Sequence, residues 1–255
     1  SMDIYNLAFA FGAALAAGFV NAIAGGGTLI SFPTLVAIGI PPVAANITNT
    51  IALCPGYFGG ITAQRKDLLT QKQRLYKILP VGVAGGIAGG LLLLNTSENS
   101  FRTLIPYLIL VATLLLAFQP MLKKIVEARL QQSIHHHKKN IVVLLVVFSA
   151  AIYGGYFGAG LGVILLAVLG LLIDDSLVKL NALKQAISLS VNVSAAVYFS
   201  FSEQVNWPVA IVMFFGSIVG GLFGGKTATV VRPVILRWAV VVIGFTVALI
   251  YLFKA

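Results

Sequence analysis

The sequence predicts an all-α, polytopic membrane protein built from two inverted-topology repeats, each a glycine-broken or re-entrant helix pair plus three transmembrane helices. Composition comes first. Of 255 residues, 59% are hydrophobic and only 9% are charged, where a soluble domain carries about a quarter charged. In lipid, a backbone satisfies itself only as helices or a closed barrel, and these apolar runs far exceed the roughly 10-residue alternating strands of a barrel. Repetition comes second. At a shift of 135 residues, with no gap, Gly25 and Gly27 fall on Gly160 and Gly162, and Asn46 falls on Asn181. Gly85, Gly86, Gly89 and Gly90 fall on Gly220, Gly221, Gly224 and Gly225, and Arg102 falls on Arg237.

Charge placement is the third observation. The net charge of +10 does not indicate nucleic-acid binding, because ten of the 17 Lys and Arg lie in two loops, residues 65–77 and 123–139. Short basic loops between apolar spans mark the cytoplasmic side. The loop bearing Lys226, Arg232 and Arg237 belongs inside too, whereas residues 95–100 and 202–206 are poorly basic and belong outside. At the repeat shift, the inside loop around Asp67 then matches the outside loop around Glu203, so the copies have opposite orientations. That needs an odd number of net crossings per copy. One re-entrant pair plus three spans meets it; four plain spans would place Lys226, Arg232 and Arg237 outside.

The elements follow in order. The first repeat, residues 1–120, holds apolar segments 4–24, 28–38, 43–64, 75–94 and 102–119, with a glycine break at Gly25, Gly26 and Gly27. Segment 4–24 lacks a basic leader region and runs into the repeated unit, so it is read as part of the fold. A basic linker covers 121–140. The second repeat, 141–255, holds segments 141–157, 163–173, 176–201, 208–225 and 233–253, with its break at 158–162. Segments 28–38 and 163–173 are each roughly 16 Å of helix, half of an ~30 Å hydrocarbon core. Each pair is either a re-entrant hairpin or one long interrupted helix.

The sequence carries no P-loop, no paired carboxylates and no Cys/His cluster at metal-ligand spacing, so no enzyme, cofactor or metal is expected. His135, His136 and His137 are consecutive in the charged linker and read as a solvated loop, and Cys54 reads as a small packing residue. No carboxylate stands in the middle of a span, which argues against a carboxylate proton relay. The polar residues in apolar context are Asn46, Thr48, Asn49 and Thr50 in copy one and Asn181, Lys184, Gln185, Ser188 and Asn192 in copy two. Asn49 overlays Lys184 and Thr50 overlays Gln185, each set on one helical face at i, i+3, i+4. Such groups need partners inside the bundle or a wet cavity. They serve either as interhelical hydrogen-bonding glue or as a site. Lys184 either snorkels toward Asp174 and Asp175 or faces an anionic substrate. Thr28 and Val163 open short helices whose free N–H groups suit an oxyanion. The Gly85/Gly89 and Gly86/Gly90 spacings read as close helix packing, and Arg102 and Arg237 as interface anchors.

Two stretches carry a family resemblance. Asn21-Ala-Ile-Ala-Gly25-Gly26-Gly27-Thr28 with Pro33, and Gly158-Ala-Gly160-Leu-Gly162, resemble the duplicated glycine motif of the sulfite exporter TauE/SafE family. Leu180-Asn181-Ala182-Leu183-Lys184 with Asn192 is similar to that family's second-half signature. The resemblance covers essentially the whole chain. It implies a bacterial or archaeal inner-membrane permease for sulfur-containing anions such as sulfite, sulfonates or sulfoacetate. Copy two has Leu161 in place of the middle glycine and Val168 opposite Pro33, so the half-sites are not expected to be equivalent. The family is usually drawn with eight spans, four per half, against which the charge argument keeps the inverted reading.

The expected substrate site combines Asn21, Gly25, Gly26, Gly27, Thr28, Asn46, Asn49, Thr50, Gly160, Gly162, Lys184, Gln185 and Asn192. The expected function is alternating-access transport of a small sulfur-containing anion across the lipid bilayer, with a proton or sodium as a possible coupling ion. The alternatives are an anion channel and a transporter of non-sulfur organic anions, with an enzyme or a partner-dependent scaffold behind both.

Overall fold

The structure is a computed structural model that describes residues 2–132 and 140–254; the three linker histidines lie outside the described residues. The described residues form twelve helices and no strand. They are α1 (Ile4–Ile23), α2 (Thr28–Ala37), α3 (Pro42–Leu53), α4 (Pro55–Ala63), α5 (Arg65–Leu69), α6 (Lys72–Leu94) and α7 (Glu98–Gln131), then α8 (Asn140–Tyr156), α9 (Leu161–Leu172), α10 (Leu177–Phe199), α11 (Trp207–Thr227) and α12 (Pro233–Lys254). Five of them, α1, α6, α7, α11 and α12, are long and apolar enough to cross a membrane. Their outward faces are bare hydrocarbon: Phe215, Leu222, Val242 and Phe253 are all exposed. An apolar surface of that extent is tolerable only against lipid.

Glycine ends α1 and starts the return. Gly25 and Gly26 adopt φ of +83° and +88°, a region that costs an L-residue roughly 1–2 kcal/mol. The chain doubles back so far that a Cβ on Gly27 would strike the backbone of Ala17. The first broken pair is therefore a hairpin. In the second pair Gly160 supplies the positive φ, +84°, directly before α9.

Two elements differ from the sequence expectation. The expected segment 43–64 is cut at Cys54, because Pro55 has no N–H and its ring opposes a continuing turn; Cys54 N–H settles for the carbonyl of Ile51 at 3.4 Å. Copy two has Ser190 at the matching position, and α10 runs unbroken. The segment expected at 102–119 begins at Glu98, after the Ser97 hydroxyl accepts the Ser100 N–H, and ends at Gln131. Its extension stays helical because Val126 is buried against α9, where it fills the space that a Cβ on Gly170 would need.

The copies exchange their first helices. Helix α1 packs on α11 of the second copy, α8 packs on α6 of the first, and α7 pairs with α12. Glycine makes both exchanges possible. A Cβ on Gly89 would meet the Ile152 carbonyl and the Tyr156 nitrogen of α8, and one on Gly220 would meet the Leu15 carbonyl of α1. Backbones that close are stabilised by dispersion and small-residue packing, the usual glue between helices in lipid.

Polar contacts tie the ends. At one end, Arg74 pairs with Asp175 at 2.9 Å and Arg129 with Asp174 at 3.0 Å, and the Gln71 amide donates to the Lys179 carbonyl. At another, Met2, Gly39, Ile40 and Pro41 border one hollow with residues 203–208. Asn206 N–H donates to Thr48, and Val43 N–H donates to Glu98 at the start of α3. Burial pushes the Asp175 carboxyl up, but its hydrogen bonds from Arg74 and the Ser176 N–H, with the charges of Arg74 and Lys179, outweigh this and hold it below its ordinary value. A depressed carboxyl stabilises the fold above its unfolded value of about 3.9, and that contribution fades as pH falls through the lower folded value. Arg74→Gln should cost about 0.5–1 kcal/mol at pH 7, read as a small drop in melting temperature. The gap from wild type should close as the pH is taken below about 4. A gap that is unchanged at acid pH would remove the pair from this account.

Candidate functional site

The tips of the two hairpins meet around one cavity of about 410 Å³. Each tip is fastened from within its own copy, by different means. Asn21 Oδ1 accepts the Gly27 N–H at 2.8 Å, whereas Tyr153 donates its hydroxyl proton to the Ala159 carbonyl at 2.7 Å. The backbone N–H groups of Thr28 and Gly162, at the starts of α2 and α9, have no backbone acceptor among the described residues. Both residues border the cavity, so two positive helix ends face one space.

All thirteen expected residues lie at this cavity or at a small void beside it, but they divide in role. Asn21, Gly25, Gly26, Gly27, Thr28, Gly160, Gly162, Lys184 and Gln185 line the cavity. Asn46, Asn49, Thr50 and Asn192 line the void, which shares Thr28, Leu53, Tyr57 and Gly158 with the cavity. The second group is already bonded within the protein. Asn46 Nδ2 donates to the Tyr156 carbonyl at 2.7 Å, which pins α3 to the tip of the opposite hairpin. Asn49 Oδ1 accepts the Ser31 hydroxyl at 2.6 Å, and its Nδ2 donates to Thr28 Oγ1 at 3.4 Å. Thr50 and Asn192 donate back to the Asn46 and Ser188 carbonyls. Buried amides so placed hold the two hairpins in register.

Lys184 is placed differently. Asp174 and Asp175, its expected snorkelling partners, are taken by Arg129, Arg74 and Lys179. Lys184 forms no ion pair among the described residues, and its stem passes the first turn of α9, 3.9 Å from where a Cβ on Gly162 would be. Among the described residues it is the one charged side chain lining the cavity. Desolvated cations in membrane segments are rare and are retained where a partner or substrate compensates them.

Three polar residues at the cavity escaped the sequence reading as site members: Tyr57, Gln119 and Ser188. Tyr57 lines it from the first turn of α4, directly after the break at Pro55. The dipeptide Pro55-Gly56 is a turn signal and could have flagged this. Ser188 had a periodic signal, one turn beyond Lys184. Gln119 sits at the end of an apolar run, where a polar residue reads as a boundary. Arg102 is exposed and Arg237 is half-buried, and neither lines the cavity.

Five apolar spans, two inward-folded glycine hairpins and a polar cavity between them define a multi-pass integral membrane transporter. The profile described as sulfite exporter TauE/SafE matches residues 10–251. The chain belongs to the TauE/SafE family. It is 30% identical over 239 residues to a probable membrane transporter protein of Haemophilus influenzae, covering 94% of this chain and 91% of that one. It is 27% identical to the probable membrane transporter protein ORF9 of a Sinorhizobium species, over 97% and 93% of the two chains. With the probable membrane transporter protein YfcA of Escherichia coli the identity is 25%, over 89% and 84%. No solved structure matches the chain.

Proposed function

We propose that the chain is a secondary transporter that carries a small sulfur-containing anion, such as sulfite, a sulfonate or sulfoacetate, by alternating access at the cavity between the hairpin tips. The observation that carries this reading is Lys184, unpaired by any carboxylate, beside two helix starts whose N–H groups are free. An oxyanion entering there exchanges water for charge-assisted hydrogen bonds from fixed donors.

Two further features support a carrier over a pore. Phe32, Phe101 and Phe157 are fully buried and stack edge to face, with centroids 6.5 and 5.8 Å from Phe32. Phe32 lies on α2 one turn beyond Thr28, Phe157 precedes the lining residue Gly158, and Phe101 is in the first turn of α7, so we read this packed layer as a closed side of the cavity. The turn at Gly39, Ile40 and Pro41 lies beside residues 203–208, while its repeat equivalent, Asp174, Asp175 and Ser176, is paired to the basic segments around Arg74 and Arg129. Equivalent turns at different ends support two copies of opposite orientation, the arrangement that lets one site open to either side. With the basic segments cytoplasmic, the packed aromatic side faces outward.

The test is a thermal-shift screen of purified protein against sulfite, sulfate, thiosulfate and sulfoacetate, followed by flux in proteoliposomes. A ligand at 100 times its Kd stabilises the folded state by about 2.7 kcal/mol. The expected result is a shift with at least one sulfur oxyanion and counterflow of the labelled anion on an opposing gradient. No shift and no flux with any of them would end the reading, and flux without counterflow would replace the carrier with a channel.

A further inference from the structure

We propose that the cavity admits sulfonates that carry no cationic group and excludes their ammonium-bearing counterparts; this rests on the anion-transport reading above and adds a rule for the far end of the substrate. The cavity, at about 410 Å³, is more than ten times the ~30 Å³ that one water occupies in the liquid. A tetrahedral oxyanion does not fill it, so the body attached to the anionic head is also enclosed and also read. The full charge around that body has one sign. Among the described residues, Lys184 is the only charged side chain in the lining, and no carboxylate is there. Two helices, α2 and α9, begin at the cavity wall with Thr28 and Leu161, each contributing the partial positive charge of a helix N-terminus.

The acids that might have balanced an ammonium are committed elsewhere. Asp174 and Asp175 are paired with arginines, and Glu98 accepts the Val43 N–H. An ammonium group drawn into the cavity would lose its water, meet no anion and lie among like charges. A hydroxyl at the same place meets Tyr57, Gln119 and Gln185, whose oxygens and N–H groups pair with it in either direction.

The experiment uses two compounds with one head and one two-carbon chain, 2-hydroxyethanesulfonate and 2-aminoethanesulfonate, titrated calorimetrically into the purified full chain. The hydroxyl compound should bind at least tenfold more tightly. Gln119→Glu, which adds a carboxylate to the lining with little change of shape, should narrow that ratio at least fivefold; Ser188→Asp is the second variant if the first does not fold. Equal affinities for both compounds, each weakened in Lys184→Met, would overturn the charge rule and leave the anion site standing. So would a ratio that neither carboxylate variant moves. Binding of sulfite but of neither sulfonate would overturn it as well, since the far end would then have no place. Absence of binding by sulfite and by both sulfonates would instead remove the transport reading on which the rule rests.

Discussion

Lys184→Met should weaken anion binding and transport by about one to two orders of magnitude while leaving the protein folded. Methionine keeps a flexible, unbranched stem to pass Gly162 and removes the charge. The side chain gives up no ion pair in the change, because the acids nearest to it in sequence are bonded to Arg74, Arg129 and Lys179. A hydrogen bond to a charged group contributes about 1.5–3 kcal/mol, so losing it from the bound state weakens affinity roughly 10- to 150-fold. The check is paired: the melting temperature without ligand should stay within a degree or two of wild type, and the anion-induced shift should shrink sharply. Undiminished flux in Lys184→Met proteoliposomes would remove Lys184 from the site. A collapse in ligand-free stability would make it a structural residue.

Gly220→Val should prevent stable assembly of the two copies. At Gly220 the ideal Cβ position is already occupied by the Leu15 carbonyl, and Leu15 Cα and C lie within 3 Å of it. Backbone cannot rotate away as a side chain tip can, so α1 would be forced off α11. Overpacking a well-filled contact costs about 1–3 kcal/mol and occasionally more, and β-branching at this position adds two atoms beyond the Cβ. Against a total stability of about 5–15 kcal/mol, that is enough to reduce folded protein in the membrane severely. Gly225→Ala is the matched control. It lies in the same helix with nothing within 4 Å of its Cβ position, and alanine is the better helix former by about 1 kcal/mol. Folded yield by size exclusion should fall sharply for the first variant and hold or rise for the second. Equal yields would mean that α1 and α11 do not depend on this contact.

The glycine breaks, the half-length segments beside them and Lys184 were legible because each departs from what an apolar span needs. Whether each broken pair is a hairpin or an interrupted helix was not. A half-length segment beside glycines cannot cross a bilayer, and a lysine inside a span needs a reason. The Asn residues were legible as polar groups that needed partners, but not as to which partner. Asn46, Asn49 and Lys184 occupy matching helical faces, and only the packing shows that the first two bond to Tyr156, Ser31 and Thr28 while the third is left facing the cavity. Tyr57 and Gln119 were not legible as site residues, since one depends on where α4 packs and the other on where α7 passes the hairpin tips.

By itself, the sequence determined that this chain lives in lipid, that glycines and polar residues recur at a shift of 135, and where the apolar segments must break. These are consequences of hydrophobicity, backbone hydrogen bonding and glycine's freedom, all local to a segment. Tertiary structure decided the rest: which glycines lie under which backbone, that the first helix of each copy packs on the other copy, and that Lys184, alone among the charged described residues, lines the space between the tips. Those outcomes depend on pairings between separate helices, some more than a hundred positions apart, such as Arg74 with Asp175 and Asn46 with Tyr156. A repeat in one dimension does not say how its copies will interlock in three.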